Sequence, residues 1–165
     1  MQLAPASSSC CGDARAAYGA KITDVVGEQR WLDAERKTAS GPPAVALSAT
    51  VLGAPDARLL GGFHRLLLGW DVVTDEPDWV MLRPPGGGTG RYFQTEEWHV
   101  PPAWPAGPGE QQMMMHLDLR VDDLEAACRH AEMCSATLAA RQPQDDVRVY
   151  RDPAGHPFWL FLSST

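Results

Sequence analysis

An element order that appears twice constrains a fold more tightly than any single motif, and residues 44–163 carry one. The first copy opens with a strand at "AVALSATVLG". A helix follows at "DARLLGGFHRLLLG", where Leu59, Leu60, Phe63, Leu66 and Leu67 recur at helical spacing despite two glycines. Short strands at "WDVVTDE" and "DWVMLRP" come next, then "GRYFQTEE" after the turn "PPGGGTG". The second copy runs strand "QMMMHLDLRV", helix "DLEAACRHAEM", strands "ATLAAR" and "VRVYRD", the turn "PAGH" and strand "PFWLFLS". Placing Asp123 over Asp56 gives an offset of 67 residues and superposes "LRVDDLEAA" on "LGAPDARLL"; aligning the closing hairpins on Gly155 and Gly90 gives 65. Both copies read βαβββ.

This repeat divides the chain into an N-terminal extension (1–43), module one (44–97), a connection (98–111) and module two (112–163). The extension begins with a small, polar tail carrying Cys10 and Cys11, read as disordered. It continues with "VVGEQRWLDAERKTASG", whose Val25, Val26 and Trp31 form the stripe of an amphipathic helix. The connection "WHVPPAWPAGPGE" holds four prolines and two tryptophans, the composition of an irregular segment with something to cover.

At 165 residues, with 44% apolar side chains, the chain is long enough to bury a core as one domain. A formal charge of −7 and the lack of any basic cluster interleaved with aromatics argue against nucleic acid and anionic membranes as partners. Cys10, Cys11, Cys128 and Cys134 match neither a disulfide framework nor a zinc site, and no segment reads as a signal peptide or a membrane span; a soluble, cytoplasmic protein is expected.

The stretch "MMMHLDL" holds the most informative polar residue. Alternation on a strand puts Met114, His116 and Asp118 on one face and Met113, Met115, Leu117 and Leu119 on the other. The fully apolar set is expected against a helix. Three readings of His116 stand: a residue working by hydrogen bonding or proton transfer, a metal ligand, or a satisfied wall histidine. Asp118 is the obvious group to orient it, although two residues along a regular strand is too far for a direct bond.

Four segments together resemble the vicinal oxygen chelate superfamily, which includes glyoxalase I, bleomycin-resistance proteins and extradiol dioxygenases. They are "APDARLLGGFHRLLLGW", "WVMLRPPGGG", "PPAWPAGPGEQQMMMHLDLRVDDLEAA" and "VYRDPAGHPFWLF". The resemblance implies an α+β fold in which two βαβββ modules form a curled mixed-sheet barrel around a cavity, here with an N-terminal helical extension. It also implies a small-molecule ligand and a homodimer. The superfamily's four metal positions fall on His116, Ala49, Gln94 and Trp159, of which Ala49 and Trp159 cannot ligate. No tightly bound metal or other cofactor is therefore expected; in the metal-dependent alternative, His116, Gln94 and Glu96 are the donors.

The leading functional expectation is a glyoxalase-like enzyme of lyase or isomerase type. In it His116 is the catalytic acid, base or hydrogen-bonding group, Gln94 is the polar anchor, and Met114, Trp159, Trp98, Trp104 and Phe93 are apolar contacts. Arg148 and Tyr150, alternating on one strand, are candidates to present a cation and a phenol. Alternatives are a drug- or metabolite-binding protein without turnover and a divalent-metal-dependent lyase, isomerase or dioxygenase. His156, in "DPAGHPF", reads as a turn residue; His64 and His130 read as helix residues; His99 lies in the connection. Cys128 is expected buried in the second helix, and Ser135 stands where a glycine would cap that helix.

Overall fold

The computed structural model describes residues 44–162. Two four-stranded mixed sheets each carry one helix, and the elements follow the βαβββ order twice. Module one consists of β1 (Ala49–Ala54), α1 (Ala57–Leu68), β2 (Asp71–Asp75), β3 (Trp79–Arg83) and β4 (Gly90–Thr95). Module two consists of β5 (Leu117–Val121), α2 (Leu124–Met133), β6 (Thr137–Leu138), β7 (Val147–Arg151) and β8 (Pro157–Leu162). Strand order is β1-β4-β3-β2 in one sheet and β5-β8-β7-β6 in the other, with β1–β4 and β5–β8 parallel. The predicted strands at 44–53 and 136–141 are shorter than expected at one or both ends. The amphipathic helix and polar tail of the extension lie outside the described residues.

The residues that align the two copies also start the two helices. Asp56 and Asp123 have extended backbones, and each accepts a backbone N–H three residues on, from Leu59 and Ala126, at 2.9 Å. Gly69 closes α1 in the left-handed region at φ 66. Ser135 takes the same role after α2 at φ 79, and Ala136 N–H donates to Ala131 O at 2.9 Å, so the helix ends in the glycine-type geometry without the glycine.

The helix-covered faces of both sheets share one core. Ala57, Leu60 and Phe63 of α1 pack with Val80, Leu82 and Phe93 of their own sheet and with Tyr150, Phe158 and Leu160 of the other. Phe63 meets Phe158 at a ring separation of 6.0 Å, and His130 of α2 donates to Leu67 O of α1 at 3.2 Å. Leu59 and Leu66, counted in the predicted helical stripe, are instead about 60% exposed. The described strands form two separate sheets with no ladder joining them, so the expected barrel is not closed within the chain. The helix-free face of each sheet lies outside the shared core.

Candidate functional site

Ladder registers determine which side chains reach the helix-free faces. In module one, Val51, Tyr92 and Met81 lie side by side, as do Gly53, Gln94 and Trp79. In module two, Asp118, Trp159 and Val149 align, and so do Arg120, Phe161 and Val147.

His116 sits one residue before β5, opposite Pro157, the residue preceding the Leu117–Phe158 pair. Proline has no N–H to donate, and the ladder ends there. Of the predicted strand "QMMMH", Gln112 makes an isolated parallel bridge to Ala103 and residues 113–116 lie outside any ladder, so the expected alternation fails. Met115, assigned to helix packing, is 69% exposed, and Met114, assigned to the ligand wall, is 84% exposed. Release from regular strand spacing also lets His116 reach Asp118: Nε2 lies 3.3 Å from Oδ1, a contact that alternation alone excluded.

Beside this pair the His116 ring packs on the Trp159 indole at 4.0 Å, and Trp104 meets the same indole edge-on at 4.9 Å. A hollow of about 430 Å³ opens next to them, with Asp118, Gln144 and Asp146 as polar neighbours and Trp159, Phe161 and Val147 as apolar ones. Trp104 is held in place because its carbonyl accepts from Arg151 at 3.1 Å. The rest of the connection is pinned to module two as well. His99 Nε2 donates to Ala154 O at 2.8 Å, and Pro101 Cβ lies 2.7 Å from where a Cβ on Gly155 (φ 90) would sit.

Several expected site residues lie elsewhere. Phe93 is fully buried on the helix side, its ring stacked on His64 at 5.0 Å. Tyr150 points the same way in its own sheet and donates to Glu132 of α2 at 2.8 Å; burial, then hydrogen bonding with Cys128 and Glu132, pushes its phenol well above the usual range. Arg148, on the same strand face as Tyr150, spends its guanidinium on the carbonyls of Gln144, Asp145 and Val147. Trp98 is 85% exposed. Gln94 reaches the helix-free face of module one, but its amide is hydrogen-bonded to Glu96, and it does not line the hollow of His116. Cys128 is only partly buried.

Among the described residues no three His, Cys, Asp or Glu side chains gather to hold a cation. Ala49 and Trp159, on two of the positions that the superfamily resemblance assigns to a metal, carry no ligating atom, and the Gln94 amide donates to Glu96.

Sequence reasoning missed Phe161, Gln144, Asp146 and Asp152. Phe161 shares the strand face of Trp159 and was legible by alternation. Gln144 and Asp146 lie in an irregular approach to β7, where no periodicity points. Asp152 is buried in the β7–β8 turn, and Oδ1 accepts the N–H groups of Ala154 and His156 at 2.9 Å each. Burial alone would raise its carboxyl, but the hydrogen-bonded His156 ring and the His64 ring close beside it bring it down to about 2.

The repeated βαβββ modules and their shared core are those of a glyoxalase-like protein of the vicinal oxygen chelate superfamily. A sequence model of the Glyoxalase-like domain matches residues 49–161, and the chain belongs to that family. No curated protein matches it. Among solved structures, it is similar to TnmS3, an antibiotic-binding protein from Streptomyces sp. CB03234, with 18% identity, 75% of this chain and 100% of that one covered, and a TM-score of 0.51. A glyoxalase/bleomycin resistance protein/dioxygenase family enzyme from Burkholderia phytofirmans PsJN is similar at 16% identity, 72% and 98% coverage and a TM-score of 0.53. Lactoylglutathione lyase from Agrobacterium tumefaciens is similar at 18% identity, 74% and 96% coverage and a TM-score of 0.50. At these identities the likeness concerns the fold.

Proposed function

We propose that the chain binds a small, flat organic molecule in the hollow of module two, with His116 as its hydrogen-bonding or proton-transferring group. The observation that carries this reading is the His116 ring packed on Trp159 with the Asp118 carboxylate 3.3 Å away, beside a hollow of about 430 Å³. The indole and Phe161 supply flat apolar surface, and Asp118 and Asp146 favour a ligand bearing an amine or another N–H donor. In the enzyme reading, His116 moves a proton on the bound molecule while Asp118 holds the ring. No metal enters that step.

The exposure of the pair favours a second reading, binding without turnover. His116 is 37% and Asp118 60% exposed in one chain, whereas acid–base catalysis gains from excluded water. A second copy of the chain laying its helix-free module-one face over the hollow would exclude that water, and a homodimer is part of the proposal. No described helix is long and apolar enough to cross a membrane. The test is a thermal-shift screen with flat aromatic amines, followed by long incubation of each hit. A hit lost in His116→Ala supports the site, and a chemically altered hit supports the enzyme reading. Hits returned unchanged leave binding alone, and hits insensitive to His116→Ala reject the site.

A further inference from the structure

A second polar arrangement sits at the seam of the two modules and meets the hollow at His116. Thr50, Val51 and Leu52 of β1, the Met115–Leu117 stretch, and the turn residues Asp152 and His156 with Pro157 and Phe158 close around a crevice of about 50 Å³. That is on the order of one or two water volumes, so only the small end of a ligand enters. The walls are apolar apart from Thr50, His116, Asp152 and His156.

Within this crevice His156 is held twice by one carboxylate. Its backbone N–H donates to Asp152 Oδ1 at 2.9 Å, and its ring Nδ1 lies 3.0 Å from Oδ2. An ionised carboxylate only accepts, so the ring proton sits on Nδ1 and Nε2 is left as the acceptor. Asp152 is 5% exposed and stays ionised far into acid. Its other neighbour, His64, lies 3.5 Å away with its side chain 1% exposed, and burial pushes that imidazole toward the neutral form, leaving the charge of Asp152 facing His156. The pair has the layout in which a carboxylate orients an imidazole to accept a proton.

We propose that Asp152 and His156 form a proton-accepting site for the hydroxyl of a small phenol inserted at the seam. The O–H bond breaks, its proton passes to Nε2, and the phenolate faces an imidazolium braced by Asp152; on release the proton returns, so no further reagent is consumed. This site shares His116 with the hollow as a wall residue, but its proton acceptor is His156 and it uses neither Trp159 nor Asp118.

The test uses p-nitrophenol, whose phenolate absorbs apart from its phenol, added to the full chain at a pH where the free probe is mostly protonated. A saturable phenolate band in the wild type, reduced at least about tenfold in His156→Gln, supports the site. No band in the wild type overturns it. A band kept in His156→Gln but lost in Trp159→Ala overturns it too, by assigning the probe to the hollow. If His156→Gln fails to fold, by near-ultraviolet circular dichroism, nitrogen chemical shifts of His156 in the wild type decide: an Nδ1–H tautomer supports the site and an Nε2–H tautomer overturns it.

Discussion

Asp152 is the residue on which both modules converge. It accepts two backbone N–H groups of its own turn and the His156 ring, and it lies against His64 of α1. Replacing it with alanine strands those donors in the interior, and Asp152→Ala should cost about 3 kcal/mol in urea unfolding. The same cluster gives the protein an acid-sensitive stability. The Asp152 carboxyl titrates at its ordinary 3.8 in the unfolded chain but at about 2 when folded, so its contribution, about 2 kcal/mol, is present above 3.8 and lost as pH falls toward about 2. His64, buried and shifted below its ordinary 6.5, is protonated first in the unfolded chain, so stability also falls as pH drops below 6.5. Urea midpoints should therefore decline from about pH 7 to about pH 5, and His64→Leu should flatten that decline. An equal decline in the variant would remove His64 from the explanation. None of this cluster was legible beforehand. His64 lies in a helical apolar run and Asp152 in a turn motif, and nothing local reports that folding brings them together.

At the scale of elements, α1 carries two adjacent glycines with opposite consequences. A Cβ on Gly61 would lie 2.6 Å from Val80 Cγ1, whereas one on Gly62 would meet nothing within 4 Å. Gly62→Ala should stabilise by about 1 kcal/mol through helix propensity, and Gly61→Ala should destabilise by about 1–2 kcal/mol by pushing α1 off β3. Thermal melts of the two variants should move in opposite directions. Ser135→Gly should add about 1 kcal/mol by relieving the left-handed backbone at φ 79. The order of elements was readable because apolar spacing and the two N-cap aspartates are local signals. Which face of a strand points where was not: alternation correctly grouped Arg148 with Tyr150, yet only the packing of α2 decides that this face is the one turned to the helix. The end of β5 likewise depends on Pro157, about 40 residues away in the chain.

At the scale of the molecule, the two helix-covered faces consume each other's apolar surface and leave the helix-free walls outside the core. The dimer proposed here follows from those open walls, and sedimentation should give twice the chain mass of 18.0 kDa. A monomer at all concentrations would leave the hollow open to solvent. The central claim concerns the hollow itself and is tested most directly by nuclear magnetic resonance titration of the Trp159 indole N–H, assigned by Trp159→Phe. The titrants are an aromatic amine and its alcohol and carboxylate counterparts of the same size. The amine is predicted to shift the Trp159 and His116 resonances saturably and to weaken roughly tenfold, ~1.4 kcal/mol, in Asp118→Asn. A carboxylate that binds as tightly as the amine, or a Trp159 resonance that does not move with any of the three, would contradict it.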